Sequence, residues 1–165
     1  MLITLTGFMG GGKTTVGRIL ADALGCPFLD LDDLIVKKAG KSIPDIFAQD
    51  GEPAFRQLEA RLLRQTVEKY GESTAVLSLG GGAILAPASA TLVHENTVCI
   101  YLRAALDTLL SRLAGETAGR PLADASLAER LAAREPLYEK TAHVVIDTDG
   151  LSPEDVSDEI IISCL

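Results

Sequence analysis

The chain of 165 residues is 47% hydrophobic and 23% charged, a composition typical of a soluble globular protein with one domain. Its net charge of −8, without any run of lysine or arginine, argues against nucleic acid as the main partner. The three cysteines lack CxxC spacing and argue against a disulfide framework or a zinc site. No apolar stretch is long enough to span a membrane, and no basic segment precedes the first apolar run. We therefore expect a cytoplasmic protein.

Five short apolar runs alternate with helical patterns along the chain. The runs are predicted as strands at residues 2–6, 27–30, 75–79, 98–102 and 143–147. Helical spacing predicts helices at residues 13–24, 32–39, 52–70, 87–95, 104–113 and 127–138, and from 153 to near the C-terminus. Residues 42–50 form a short amphipathic segment. This alternation predicts an α/β fold, a parallel sheet covered on both faces. In such folds the functional site lies at the carboxyl ends of the strands.

A glycine-rich turn joins the first strand to the first helix. Residues 7–14, Gly-Phe-Met-Gly-Gly-Gly-Lys-Thr, fit the phosphate-loop pattern GxxxxGK[ST] in full and in the right context. Glycines let backbone amides face a nucleotide's phosphates, Lys13 can reach the β- and γ-phosphates, and Thr14 can ligate magnesium. We expect the Lys13 side chain to be exposed when the loop is empty. The alternative is a turn that only connects the two elements.

The sequence lacks the motif by which GTPases usually recognise guanine. GTPases usually carry an N-K-x-D element, whereas the only asparagine here, Asn96, is followed by Thr97. This argues against a guanine-specific switch.

Acidic residues and a triple glycine follow the second and third strands. Asp30 and Asp32 would point the same way on an extended chain, so both can face a magnesium–phosphate site. The alternative is a helix start, where Asp is favoured at the cap and in the first turn, and Asp33 suits either reading. Residues 80–82 allow close approach of a ligand, or form a flexible turn.

Three arginines, Arg56, Arg120 and Arg134, are candidates that spacing alone does not separate from solvated surface arginines. Residues 115–126 are small and polar with glycine and proline, which predicts a loop. Arg120 lies in this loop, where a lid over ATP would lie.

The chain resembles the shikimate kinases over nearly its whole length. The stretches that carry the resemblance are GFMGGGKTTVG (7–17), FLDLD (28–32), SIPDIF (42–47), GEPAFR (51–56), LSLGGGA (77–83), GRPL (119–122) and REPLY (134–138). Their joint order and spacing are highly specific. The chain departs from the family pattern in having Thr14 in place of the commoner serine, and in a shorter stretch between Arg120 and Arg134.

The resemblance implies a nucleoside monophosphate kinase-like fold with strand order 2-3-1-4-5. It implies a single kinase domain over residues 1–165, with a substrate-binding segment at about 32–60 and a lid at about 112–126. It also implies transfer of the ATP γ-phosphoryl group to the 3-hydroxyl of shikimate, with Mg²⁺ as cofactor. We expect the protein to be a monomer, with neither nucleic acid nor a membrane as partner.

Site residues follow from the resemblance by position. The expected catalytic residues are Lys13, Asp32 and Arg120. Shikimate would be held by Asp32, Arg56, Gly80, Gly81, Gly82 and Arg134. The nucleotide would be held by Gly10, Gly11, Gly12, Lys13, Thr14, Thr15 and Arg120, with adenine against Arg112 and Pro153. The metal ligands would be Thr14 and Asp30.

The residues themselves agree with this assignment. Shikimate carries one carboxylate, and two guanidinium groups, those of Arg56 and Arg134, suit it. Two rivals stay open at this point. One is another metabolite kinase of the same fold, acting on gluconate or a nucleoside monophosphate. The other is a non-enzymatic ATP-binding regulator, against which the intact Lys13, Asp32 and Arg120 argue.

Overall fold

A parallel sheet of five strands runs through the centre of the fold. The computed structural model describes residues 1–10, 12–116 and 125–164. In chain order the strands are β1 (Leu2–Thr6), β2 (Phe28–Asp30), β3 (Ala75–Ser78), β4 (Val98–Arg103) and β5 (Val144–Asp147). They pair in the order β2-β3-β1-β4-β5, and every pairing is parallel. The predicted α/β fold and its strand order are confirmed.

Helices cover both faces of the sheet. They are α1 (Lys13–Leu24), α2 (Leu31–Ala39), α3 (Ile43–Asp50), α4 (Glu52–Tyr70), α5 (Pro87–Asn96), α6 (Leu106–Glu116), α7 (Ala125–Thr141) and α8 (Pro153–Cys164). Strand residues alternate between two cores: on β4, Cys99 and Tyr101 pack on one side, and Ile100 and Leu102 on the other. Because both faces are buried, the strands are continuous apolar runs without polar alternation.

The register of the strands brings their carboxyl ends to one edge of the sheet. Leu5 in β1 and Asp30 in β2 both pair with Ser78, near the end of β3. The turns that follow these three strands are therefore neighbours. They are the phosphate loop, the acidic segment and the triple glycine.

Some element boundaries differ from the prediction. Strand β4 continues to Arg103, because Arg103 pairs with Asp147 of β5 in the sheet and through a bidentate ion pair. Helix α6 continues to Glu116 and α7 begins at Ala125, so both ends of the predicted loop 115–126 are helical. Alanine and leucine are strong helix formers, and they extend α7 toward its start.

Parts of the predicted lid and phosphate loop lie outside the described residues. These parts are residues 117–124, which include Arg120, and Gly11. Among the helices that the structure describes, none is both long and apolar enough to cross a membrane.

Candidate active site

The phosphate loop joins β1 to α1 through a backbone that requires glycine. Gly7 has φ +148°, and a β-carbon built on it would lie 2.8 Å from the carbonyl oxygen of Leu102. The first helical hydrogen bond of α1 runs from the Val16 amide to the Gly12 carbonyl, at 2.9 Å. The amides of residues 13–15 precede that bond, so the start of α1 presents unpaired donors where an anion is favoured.

Lys13 is held inside the loop. Its Nζ donates hydrogen bonds to the carbonyl oxygens of Gly7 and Phe8, at 2.8 and 3.0 Å. Burial lowers the pKa of Lys13 to about 8, against the opposing effect of Asp32 and Asp30. The expectation of an exposed side chain was wrong, because the loop carbonyls fold around the ammonium group and leave it half-buried. The loop therefore holds the Lys13 ammonium group beside the unpaired amides at the start of α1.

Asp30 connects the phosphate loop to the start of α2. One carboxylate oxygen accepts a hydrogen bond from the Thr14 hydroxyl at 3.0 Å, and the other accepts one from the Asp32 amide at 2.9 Å. Asp30 is therefore the N-cap of α2, as the helix-start interpretation predicted. Asp30 also faces the phosphate loop, so capping α2 is compatible with a place beside a magnesium–phosphate site. Hydroxyl and carboxylate oxygens are the donors that Mg²⁺ prefers, and this pair fits that ion.

Asp32 lies in the first turn of α2. The prediction that Asp30 and Asp32 share an extended chain was wrong, because capping by Asp30 starts the helix at Leu31. Both carboxylates still reach one polar cavity of about 230 Å³. Burial raises the pKa of Asp32, Asp30 raises it further, and Lys13 opposes both. A carboxylate in this position can accept a hydrogen bond from a hydroxyl group.

The cavity is built from the loop and the ends of three strands. Its lining residues are Met9, Gly10, Gly12, Lys13, Thr14, Thr15, Asp30, Asp32, Ser78, Leu79, Gly80 and Gly81. The phosphate loop, the acidic segment and part of the triple glycine therefore meet in one place.

The triple glycine presents free donors. Within the described part of the chain, the amides of Gly80, Gly81 and Gly82 donate no hydrogen bond. Unpaired amides beside a polar cavity can bind a ligand's oxygen atoms.

The same turn is where the two arginines approach. A β-carbon built on Gly82 would lie 2.5 Å from Nη1 of Arg56, and one built on Gly81 would lie 3.5 Å from Nη1 of Arg134. Arg56 belongs to α4 and Arg134 to α7, so residues far apart in sequence converge on one turn. Two guanidinium groups next to free amides form a site that suits a carboxylate.

Glu59 is a site residue that the sequence analysis missed. It lies one turn after Arg56 on α4, and its carboxylate accepts a 2.8 Å hydrogen bond from Arg56 Nη1. The residue is only 3% exposed, and burial raises its pKa although Arg56 lowers it. The i,i+3 spacing of Arg and Glu was visible in the sequence, but such pairs are common on helix surfaces.

A second cavity, of about 290 Å³, lies on the other side of the phosphate loop. Its lining residues are Gly10, Gly12, Thr15, Val16, Arg112, Thr148, Leu151, Pro153 and Val156. Arg112 donates a 3.2 Å hydrogen bond to the Gly10 carbonyl. The structure thus brings Arg112 and Pro153 together beside the loop, and the apolar lining suits a flat aromatic group.

Asp149, also missed by the sequence analysis, holds this cavity in shape. It accepts a 3.1 Å hydrogen bond from the Ala105 amide and another from the Thr108 hydroxyl. These bonds fasten the segment before Pro153 to the start of α6. The hydrogen bond from Thr108, followed by that from Ala105, lowers the pKa of Asp149.

Comparison with known proteins agrees with the geometry. The family model described as shikimate kinase matches residues 9–165. A shikimate kinase of Enterococcus faecalis is 42% identical over 164 residues, which cover 96% of this chain and 95% of the relative. One of Geobacter sulfurreducens is 45% identical over 163 residues, covering 96% and 87%.

Solved structures give the same result. A shikimate kinase from Acinetobacter baumannii, in complex with shikimate, superposes with a TM-score of 0.85 at 34% identity, covering 97% of this chain and 90% of that one. The enzyme from Bacteroides thetaiotaomicron gives 0.88 at 29% identity, covering 100% and 99%. With a family model over most of its length and relatives above 40% identity, this chain belongs to the shikimate kinase family.

Proposed function

We propose that the chain transfers the γ-phosphoryl group of ATP to the 3-hydroxyl of shikimate, a step of aromatic amino-acid biosynthesis. The observation that supports this most directly is the convergence of Arg56 and Arg134 on the free amides of residues 80–82. A carboxylate site thus lies next to the cavity that holds Lys13 and Asp32. The family and the shikimate-bound relative support the same substrate.

The nucleotide would occupy the two cavities on either side of the phosphate loop. Gly10, Gly11, Gly12, Thr14 and Thr15 would bind phosphates through loop and helix amides. Lys13 would exchange its carbonyl partners for phosphate oxygens. Adenine would lie between Arg112 and Pro153, in the apolar part of the second cavity.

Mg²⁺ would be held by Thr14 and Asp30, whose oxygens are already 3.0 Å apart. When bound, this ion supplies charge neutralisation for the phosphate oxygens. Asp30 has a second task in the protein itself, because its other oxygen caps α2 and so sets the position of Asp32.

Asp32 would orient the 3-hydroxyl and accept its proton. Its raised pKa indicates a carboxylate that accepts a hydrogen bond readily in a partly desolvated site. The transition state of phosphoryl transfer is loose, so positioning and charge neutralisation dominate over proton abstraction. Lys13 and Arg120 would neutralise the developing charge.

The domain organisation follows the same proposal. Residues 32–60 would form the substrate-binding segment and residues 112–126 the lid of one kinase domain. We also propose that the chain acts as a monomer, and that it acts in the cytoplasm, because the reaction consumes ATP.

A coupled assay of ADP release tests the function. We expect release only when shikimate and Mg²⁺ are both present, and little release with gluconate or a nucleoside monophosphate. Faster turnover with a nucleoside monophosphate than with shikimate would overturn the assignment.

A further inference from the structure

Helix α7 places a charged residue in its buried stripe. Leu127, Leu131, Tyr138 and Thr141 are all buried and follow helical spacing along one face. Arg134 lies on the same face, between Leu131 and Tyr138, and is half-buried. Arg134 therefore projects from the buried face of α7 toward Gly81, in the turn that follows β3. Its position depends on how firmly the adjacent turns of α7 are fixed.

The helix backbone alone fixes this region weakly. Pro136 lies inside α7, two residues after Arg134. Proline has no amide hydrogen, so the hydrogen bond to the carbonyl four residues earlier is missing. The turn that carries Arg134 must therefore be held by contacts with the rest of the fold.

Tyr138 makes such a contact one turn after Arg134. It is 0% exposed, whereas the neighbouring Leu137 and Glu139 are exposed. Its ring packs at 5.1 Å from the ring of Tyr101 on β4, and its hydroxyl donates a 2.5 Å hydrogen bond to the Gly81 carbonyl. Burial raises the pKa of Tyr138, so the hydroxyl keeps its proton and stays a donor.

The hydrogen bond also sets the direction of a free amide in the triple glycine. In a trans peptide the carbonyl and the next N–H point in opposite directions, and the described residues contain no cis peptide bond. Holding the Gly81 carbonyl toward α7 therefore turns the Gly82 amide away from α7. Glycine has the broadest backbone freedom of any residue, so this turn needs an external contact to stay in one conformation.

We propose that Tyr138 is a positioning residue for the carboxylate-binding part of the site. It joins the turn that carries the free amides to the helix that carries Arg134, and so keeps the two at a fixed distance. This inference rests on the proposed function, because it assumes that these groups bind the carboxylate of shikimate. Tyr138 itself lies behind the turn and acts through Gly81 and Arg134.

The test is the Tyr138→Phe variant, which keeps the ring and removes only the hydroxyl. We expect the KM for shikimate to rise about fivefold to thirtyfold, in the lower part of the range for a buried polar group that loses its partner, because the Gly81 carbonyl is only partly buried. The kcat at saturating shikimate and the KM for ATP should stay within about twofold of wild type. Tyr101→Phe is the matched control, because within the described residues its hydroxyl makes no hydrogen bond.

Thermal unfolding separates positioning from general stability. A purely structural role would lower the melting temperature of Tyr138→Phe while leaving its KM for shikimate at the wild-type value, and that result would overturn the proposal. An equal rise in KM for both variants would overturn it too. If wild type does not turn over shikimate at all, the proposed function fails, which the wild-type assay shows before any variant is compared.

Discussion

Arg56 and Glu59 form an ion pair at the edge of the candidate substrate site, with Nη1 of the arginine 2.8 Å from Oε1 of the glutamate. Glu59 is almost fully buried, while Arg56 keeps about a third of its side chain exposed. The glutamate therefore orients the guanidinium group from behind and leaves its other side for a ligand. Glu52 also approaches Arg56, at 3.6 Å, but its side chain is 64% exposed.

Glu59→Gln should weaken shikimate binding through Arg56. We expect the KM for shikimate to rise about tenfold, since losing one charged hydrogen bond costs about 1.5 kcal/mol. The KM for ATP should change little. Glu52→Gln is the control, because exposed ion pairs contribute about 0–1 kcal/mol. Equal effects of the two substitutions in a steady-state assay would contradict the orienting role of Glu59.

The same substitution should change how stability depends on pH. Burial raises the pKa of Glu59, so the folded protein binds its proton more tightly than the unfolded chain does. The stabilisation that this proton gives the folded state is fully present below the pKa of Glu59 in the unfolded chain. It is lost as pH rises through the pKa of Glu59 in the folded protein. The free energy of unfolding of Glu59→Gln, relative to wild type, should therefore increase between pH 4 and 7. Urea unfolding of both proteins at several pH values measures this difference. A difference that decreases as pH rises would show that Arg56 lowers the pKa of Glu59 more than burial raises it.

Lys13→Ala should leave a folded protein with very low turnover. Removing one preorganised charge donor at a transferring group typically lowers kcat by about 10²–10³-fold. Arg18→Ala on the exposed face of α1 is the control and should keep wild-type kcat. Circular dichroism establishes that both variants are folded. A Lys13→Ala variant with kcat near wild type would remove Lys13 from the mechanism.

Local patterns predicted the sheet and the phosphate loop, because each strand is a short apolar run and each turn has diagnostic residues. Arg56 and Arg134 could be assigned only by resemblance, since their convergence depends on how α4 and α7 pack. Glu59 and Asp149 were missed for a related reason. A carboxylate on a helix or in a turn is usually solvated, and only the folded chain shows that these two accept specific hydrogen bonds.

Thr14 should control the requirement for magnesium. Thr14→Val keeps the shape but removes the hydroxyl that bonds to Asp30. We expect about tenfold more Mg²⁺ for half-maximal activity, the usual scale for losing one support of a metal site. Thr14→Ser restores the hydroxyl and should need a wild-type concentration. A Mg²⁺ titration at fixed ATP measures all three proteins, and a shift in the serine variant would point to packing instead.

Arg134 should bind the carboxylate of the substrate. Its guanidinium lies over the Phe8 ring, 5.7 Å from the ring centre, and beside Gly81, so it approaches the free amides of the glycine turn. Truncating one partner of a buried charge pair costs about 2–5 kcal/mol, or about 30-fold to several-thousand-fold in affinity. Arg134→Lys should also be impaired, because lysine lacks the planar fork. The KM for ATP should change far less.

A cycle that varies both the arginine and the substrate isolates the contribution of the substrate's carboxylate charge. Wild type and Arg134→Ala are each assayed with shikimate and with its carboxamide analogue, and kcat/KM is compared. The substitution should penalise shikimate far more than the amide, because the amide offers no charge for the guanidinium to neutralise. Arg56→Ala goes through the same cycle. Equal penalties for both substrates would show that the arginine shapes the site without binding the carboxylate, since a packing defect does not distinguish an acid from its amide.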